Sequence, residues 1–189
     1  MLNFAAMPEP SSSSAHQADA LKLTKTRPVR CAILTVSDTR TPQTDTGGPL
    51  IEKFLVHAGH GCVAKAIVRD EPPAIEAQLQ KWLGDSEVQA ILTTGGTGVA
   101  RRDTTIEVVK RLLTVELEGF GELFRMLSYE QVKAAAMMSR AIAGLVIRDA
   151  DHGGETFIFA MPGSPNAVET AMAKLIAPQL AHLVWERSR

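Results

Sequence analysis

The segment TTGGTGVARRDTT, residues 93–105, puts Gly95, Gly96 and Gly98 within four positions, between an apolar run and two arginines. Glycine permits positive φ and lets backbone N–H groups approach a ligand closely, and Thr94 and Thr97 add hydroxyls, so the segment suits an anionic group. A tight strand-to-helix turn with no ligand accounts for the same glycines. Two common phosphate signatures are excluded. A P-loop needs Lys and then Ser or Thr after its second glycine, whereas Val99 and Ala100 follow Gly98. A dinucleotide fingerprint needs glycine at 101, where Arg101 stands.

Two carboxylates accompany the glycines, Asp70 in IVRDE and Asp103 in RRD. Near a phosphate site such a pair can hold Mg²⁺, which bridges phosphoryl oxygens and neutralises developing charge. Each also has a structural alternative, Asp70 as a solvated residue ahead of Pro72 and Asp103 as a cap for the following helix. Arg101 and Arg102 serve either to neutralise phosphate or as exposed charges flanking a helix. Arg140, in MMSRAIAG, lies in an apolar context where an unpaired guanidinium would be costly, so it is expected in a functional pair or a subunit-interface ion pair. Glu122, in EGFGELF, has the same two alternatives. The five histidines show no ligand spacing. Ser37, Ser139 and Ser164 lack a His and Asp in a recognisable triad order, and no G-x-S-x-G occurs. Met126, Met137 and Met138 fit core or interface better than a cofactor box.

Short apolar runs alternating with amphipathic segments must position these residues. RCAILTV (30–36), CVAKAIVRD (62–70), EVQAILTT (87–94) and ETFIFAMPG (155–163) have the composition of buried strands. GGPLIEKFLVHAG predicts a helix with Gly48 and Pro49 as N-cap and N1. EPPAIEAQLQKWLG predicts a second, and TTIEVVKRLL a third that opens with Thr104 and Glu107 at capping-box spacing. The middle of the chain, 115–147, reads as mostly helical, broken near Gly119 to Gly121 and at Gly144. SPNAVETAMAKLIAPQLAHLVWERS predicts a long helix kinked at Pro178. Strands alternating with helices imply βαβ crossovers and an α/β three-layer sandwich around a mostly parallel sheet. Ligands of such sheets bind beyond the carboxyl ends of the strands. There the loops would gather Ser37, Asp38, Thr39 and Arg40; Arg69, Asp70 and Glu71; Thr94 to Gly98 with Arg102 and Asp103; and Pro162, Gly163, Ser164 and Pro165.

The 189 residues suit one domain, and a net charge of −1 without a basic run gives no footprint for nucleic acid. No apolar stretch has the length of a membrane span. Cys31 and Cys62 are expected as free thiols in strands, consistent with a reducing compartment such as the cytoplasm. Residues 1–28, with a Ser run and prolines and no basic region leading into an apolar core, predict a flexible tail ahead of a domain at 29–189.

The ordered set TTGGTG (93–98), RRDTT (101–105), GFGELFR (119–125), SRAIAG (139–144) and PGSPNAV (162–168) resembles the molybdenum cofactor biosynthesis proteins of the MoaB and MogA type, MoaB more than MogA. The resemblance covers about residues 29–187 and implies a molybdopterin-binding fold. For active members it implies Mg²⁺-dependent adenylylation of molybdopterin, in which the pterin phosphate attacks the α-phosphate of ATP and pyrophosphate leaves. Asp70 and Asp103 match the family's two aspartates important to that reaction. Residues 94–98 match its pterin-phosphate site, with Ser37, Asp38, Ser139 and Ser164 as further pocket residues. Glu122, Arg140, Pro162 and Gly163 complete the candidate substrate site. The resemblance further implies a homo-oligomer, trimer or hexamer, with other molybdenum cofactor enzymes as partners. Some members lack adenylylation, so a non-catalytic molybdopterin-binding or delivery protein is the alternative. RDADHGGE (148–155) is longer than the usual connection there, and is expected to alter the pocket rim as a hairpin or loop.

Overall fold

The side chains of RCAILTV alternate between two apolar layers. Cys31 and Ile33 enter one, Ala32, Leu34 and Val36 the other, and all five are buried. A strand buried on both faces needs cover on both, which fixes a three-layer arrangement. The computed structural model describes residues 28–149 and 154–187; the tail expected over 1–28 lies outside them except for Pro28.

The strands are β1 (Arg30–Val36), β2 (Gly61–Val68), β3 (Ala90–Thr94), β4 (Val115–Glu116), β5 (Ile142–Ile147) and β6 (Glu155–Met161), in the spatial order β2-β1-β3-β6-β5-β4. The pairs β1–β2, β1–β3 and β3–β6 are parallel, and β5 is antiparallel to both β6 and β4. Helices α1 (Gly47–His57), α4 (Glu118–Val132), α5 (Pro165–Ala171) and α6 (Ala177–Arg187) cover one face, contributing Ile51, Leu55, Phe120, Phe124, Val168 and Leu180 to its core. Helices α2 (Pro72–Leu83) and α3 (Thr105–Leu112) cover the other with Ile75, Leu79, Val108 and Val109. The expected α/β sandwich and mostly parallel sheet are thus present. Cys31 and Cys62 are free and stand as partners across β1–β2, the Cys31 thiol pushed well up by burial. Among the described residues no helix is long and apolar enough to cross a membrane.

Several local expectations are corrected. The IAGLVI run is strand β5 rather than helix, because a short apolar run buried on both sides has no period that separates the two states. Gly144 therefore interrupts no helix. It lets β4 close on β5: a Cβ there would strike the Val115 carbonyl and stand 2.7 Å from Leu113 Cδ1. Helix α4 runs without a break through Gly119 and Gly121, while Lys133–Met138 winds as a 3₁₀ segment whose Met137 and Met138 are exposed, as Met126 is on α4. Helix α1 begins two residues early, at Gly47 with Thr46 as N-cap, because the Asp45 carboxylate accepts from the Gly47 and Gly48 N–H groups at 3.0 and 3.2 Å. No capping box forms at α3: Thr104 makes no side-chain cap bond, and Glu107 pairs with Arg140 instead. Before Pro178 the helix widens into a π turn, Met172–Ile176, and the proline, which lacks the N–H that would continue an α ladder, follows in the first turn of α6.

The expected 148–155 connection joins β5 to β6, and its residues 150–153 lie outside the described ones. Because β6 runs parallel to β3, residue 155 sits at the edge where β3 begins, opposite the glycine loop. The described ends of the connection, Arg148, Asp149 and Gly154, are not among the residues lining the cleft at that loop; the expected effect of 150–153 on the rim lies outside the described residues. We expect Gly144→Ala to cost about 1–3 kcal/mol by forcing β4 away from β5, read as a lower Tm with β3 and β6 amide protection retained.

Candidate active site

Strand order reverses around β1. The chain leaves it for β2 on one side and later returns to β3 on the other, so the crevice between the carboxyl ends of β1 and β3 is the switch point where ligands of this architecture bind. The glycine loop begins there. Gly95 and Gly96 have φ of 95° and 61°, a region other residues reach only with strain. At Gly95 a Cβ would run into the Val36 carbonyl, and at Gly96 it would lie 2.8 and 2.9 Å from the two carboxylate oxygens of Asp70. The loop is anchored by Gly95 N–H donating to the Met161 carbonyl at 3.2 Å and Thr105 N–H donating to the Gly96 carbonyl at 2.9 Å. Among the described residues, the N–H groups of Gly96, Thr97 and Gly98 donate to no protein acceptor.

These residues line a cleft of about 480 Å³. Its other walls are Ser37, Thr39 and Arg40 after β1, Asp45 to Gly47 at the start of α1, Asp103, Met138 and Ser139, and Pro162 and Gly163 after β6. A second cleft of about 560 Å³ adjoins it toward β2 and shares Thr35, Ser37, Arg40 and Asp45, adding Asp38, Lys65 and Arg69. Asp70 is among the lining residues of neither cleft; its carboxylate packs against Gly96 of the loop. Its N–H donates to Asp38 at 3.4 Å, and its Oδ1 accepts from the N–H and hydroxyl of Thr104, both at 3.4 Å. Burial pushes the Asp70 carboxyl above its ordinary range; the Thr104 N–H opposes that shift, and repulsion from Asp103 and Asp38 adds to it. Asp103 accepts from the Ala100 N–H at 2.8 Å and presses against Gly98, where a Cβ would stand 2.5 Å from Oδ2.

Residues 32–182 match the family described as "Probable molybdopterin binding domain". Molybdenum cofactor biosynthesis protein B of Staphylococcus carnosus is 52% identical over 166 residues, covering 86% of this chain and 93% of that one. A crystal structure titled molybdenum cofactor biosynthesis protein B superposes with a TM-score of 0.80 at 44% identity, covering 86% and 98% of the two chains. The tungsten cofactor synthesizing protein MoaB from Pyrococcus furiosus gives 0.73 at 32% identity, with 86% and 99% covered. The chain belongs to the MoaB/MogA family of molybdenum cofactor biosynthesis proteins.

Of the residues matched to the family's pocket, Ser37, Thr94, Gly95, Gly96, Thr97, Gly98, Asp103, Ser139, Pro162 and Gly163 share the main cleft. Asp38 lines the adjoining one and is paired at 2.5 Å with the exposed Arg102. Ser164 caps α5, its hydroxyl accepting from the Ala167 N–H at 3.3 Å. Glu122 lies apart, in a cleft of about 320 Å³ with Lys110, Glu118 and Arg125. Arg140 sits behind the glycine loop, its guanidinium on loop carbonyls and Glu107. Sequence reasoning missed Thr35, Asp45, Thr46, Gly47 and Met138. Asp45 had a signal, an acidic side chain two and three residues ahead of paired glycines at a helix start, where it can accept from their N–H groups. Its Oδ2 also accepts from the Thr35 hydroxyl at 2.8 Å.

No group of three or more His, Cys, Asp or Glu residues able to hold a metal occurs among the described residues. Mg²⁺ is commonly bound by one or two carboxylates plus substrate phosphates, and Asp103 on the cleft wall against Gly98, with Asp70 against Gly96, fits that donor set. The buried Thr105 hydroxyl beside Gly96 has no hydrogen-bond partner among the described residues and places a further oxygen there. Folding makes the Asp70 proton harder to lose, so this group contributes most stability below its ordinary pKa of 3.8 and loses that contribution as pH rises. Ligand-free Asp70→Asn is therefore expected to melt higher than the parent at pH 7, with the difference shrinking toward pH 3.8. Calorimetry across that range checks it, and an equal or lower Tm at pH 7 contradicts it.

Proposed function

We propose that the protein adenylylates molybdopterin with Mg-ATP. The observation that carries this reading is the run of three N–H groups, Gly96, Thr97 and Gly98, without a partner among the described residues, in a loop that lines the cleft with Asp103 and has Asp70 against Gly96. Backbone N–H groups in such a nest hold an anion without adding a titratable charge. In this reading they bind the terminal phosphate of the pterin. The phosphate is largely ionised at neutral pH, so it needs no strong base to act as nucleophile.

The adjoining cleft, with Lys65 and Arg69 on its wall and Arg40 shared between the two, takes the ATP phosphates. One pterin phosphate oxygen bonds to the α-phosphorus, the bond to the β-phosphate oxygen breaks, and pyrophosphate leaves with the negative charge. Two anions must be brought together, so positioning and charge neutralisation supply most of the rate. Asp70 and Asp103 would hold Mg²⁺, which neutralises charge on the phosphoryl oxygens. Thr104 and the Ala100 N–H keep those carboxylates in place.

A second copy of the chain is proposed against the exposed apolar residues of α4 and the 3₁₀ segment, Leu123, Met126, Tyr129, Val132, Met137 and Met138. Their exposure supports a contact with like surface. Light scattering should then give a multiple of 20.4 kDa, and Met126→Glu should lower it.

Incubation with molybdopterin and Mg-ATP should release pyrophosphate and form adenylylated pterin. Asp70→Asn and Asp103→Asn should each reduce kcat by about 100-fold or more while still binding pterin. Tight pterin binding with no turnover in the parent would assign a delivery role instead.

A further inference from the structure

We propose that Arg140 is a positioning residue that aims the amide groups of the glycine loop into the cleft. The inference rests on the adenylylation reading for its kinetic consequence and on geometry alone for its structural one. Arg140 Nε donates to the Thr97 carbonyl at 2.9 Å, and Nη2 donates to the Gly98 and Asp103 carbonyls at 2.6 and 3.0 Å. Nη1 donates to Glu107 Oε1 at 2.5 Å. All three nitrogens are thus committed to the protein.

In a trans peptide unit the C=O and the following N–H point in opposite directions. Drawing the Thr97 carbonyl toward Arg140 therefore turns the Gly98 N–H away from it, and drawing the Gly98 carbonyl does the same for Val99. The third carbonyl shows the effect directly. Asp103 C=O is held by Arg140, while the N–H of the same unit, on Thr104, donates to Asp70 at 3.4 Å. One peptide group is thus gripped at one end by the guanidinium and at the other by a carboxylate proposed for catalysis.

Glu107 completes the device. Arg140 holds the Glu107 carboxyl below its ordinary range, so the two form an ion pair. The pair cancels the guanidinium charge behind the loop and leaves anion recognition to the amide dipoles. A planar fork can serve two adjacent carbonyls, a third and a carboxylate together, whereas an ammonium presents one compact charge with a different donor geometry. The SRAIAG segment thus reaches the site from β5, at the other side of β6, to fix a loop on β3.

The test is Arg140→Lys, with Glu107→Gln as a second variant that keeps the arginine should the first fail to fold. Two readouts are taken: steady-state pyrophosphate release from molybdopterin and Mg-ATP, and amide hydrogen exchange at Thr104 and Thr105, the latter donating to Gly96 at 2.9 Å. In Arg140→Lys we expect kcat to fall about tenfold or more, from loss of attack geometry, with KM for ATP within about twofold. Both amides should exchange faster, and Glu107→Gln should shift both readouts the same way by less. Parent-like kcat with parent-like exchange overturns the proposal. A fall in kcat with unchanged exchange also overturns it, because it assigns Arg140 to substrate. Should the parent itself show no turnover, the adenylylation reading fails separately and exchange alone decides: faster supports positioning, unchanged refutes it.

Discussion

Close backbone approach at the carboxyl end of β3 is the constraint on which the site depends. Gly95 lies against the Val36 carbonyl that ends β1, Gly163 after β6 comes within 3.2 Å of Gly95 Cα measured from its own ideal Cβ position, and a Cβ at Gly47 would stand 3.0 Å from Thr94. Three strand ends and one helix start thus converge with room for backbone only. Side chains at these points would separate the loops by van der Waals contact and open the crevice. The cleft, its amide lining and the flanking carboxylates all follow from that convergence.

The electrostatics around it are lopsided in a way that suits phosphate chemistry. Burial raises the Asp70 carboxyl, with smaller contributions from Asp103 and Asp38, and the cation paired with Asp38 comes from exposed Arg102. The amide nest carries the opposite polarity. The loop therefore brings amide donors and two carboxylates, each held by a protein N–H, to one place.

Much of this was legible in the residues because it depends on local rules. Strand burial, the alternation that yields a parallel sheet, and the gathering of polar loops at one sheet edge all follow from period and composition, and the structure keeps them. What was illegible depends on partners distant in sequence. Glu107 has capping-box spacing from Thr104, yet it turns to Arg140, 33 residues away, because a guanidinium ion pair outweighs a helix cap. IAGLVI has no period to distinguish strand from helix, and its state is decided by β6 beside it. Asp45 lines the cleft through bonds to Thr35 and to the glycines of α1, a local signal that is easily taken as turn chemistry alone. Glu122 sits in a motif of the right kind and lies in a different cleft, because a motif records kinship and leaves location open.

The β5–β6 hairpin adds a consequence of its own. Because the pair is antiparallel, Ser139 and Arg140 enter β5, and Pro162 and Gly163 leave β6, at the same edge of the sheet, while the strand ends Ile147 and Glu155 lie at the other. The chain therefore leaves the cleft and returns to it along one rigid ladder. The strand ends Ile147 and Glu155 are separated from the cleft by the full height of the sheet. A reporter or tether joined at that far edge would sit a whole strand length from the glycine loop.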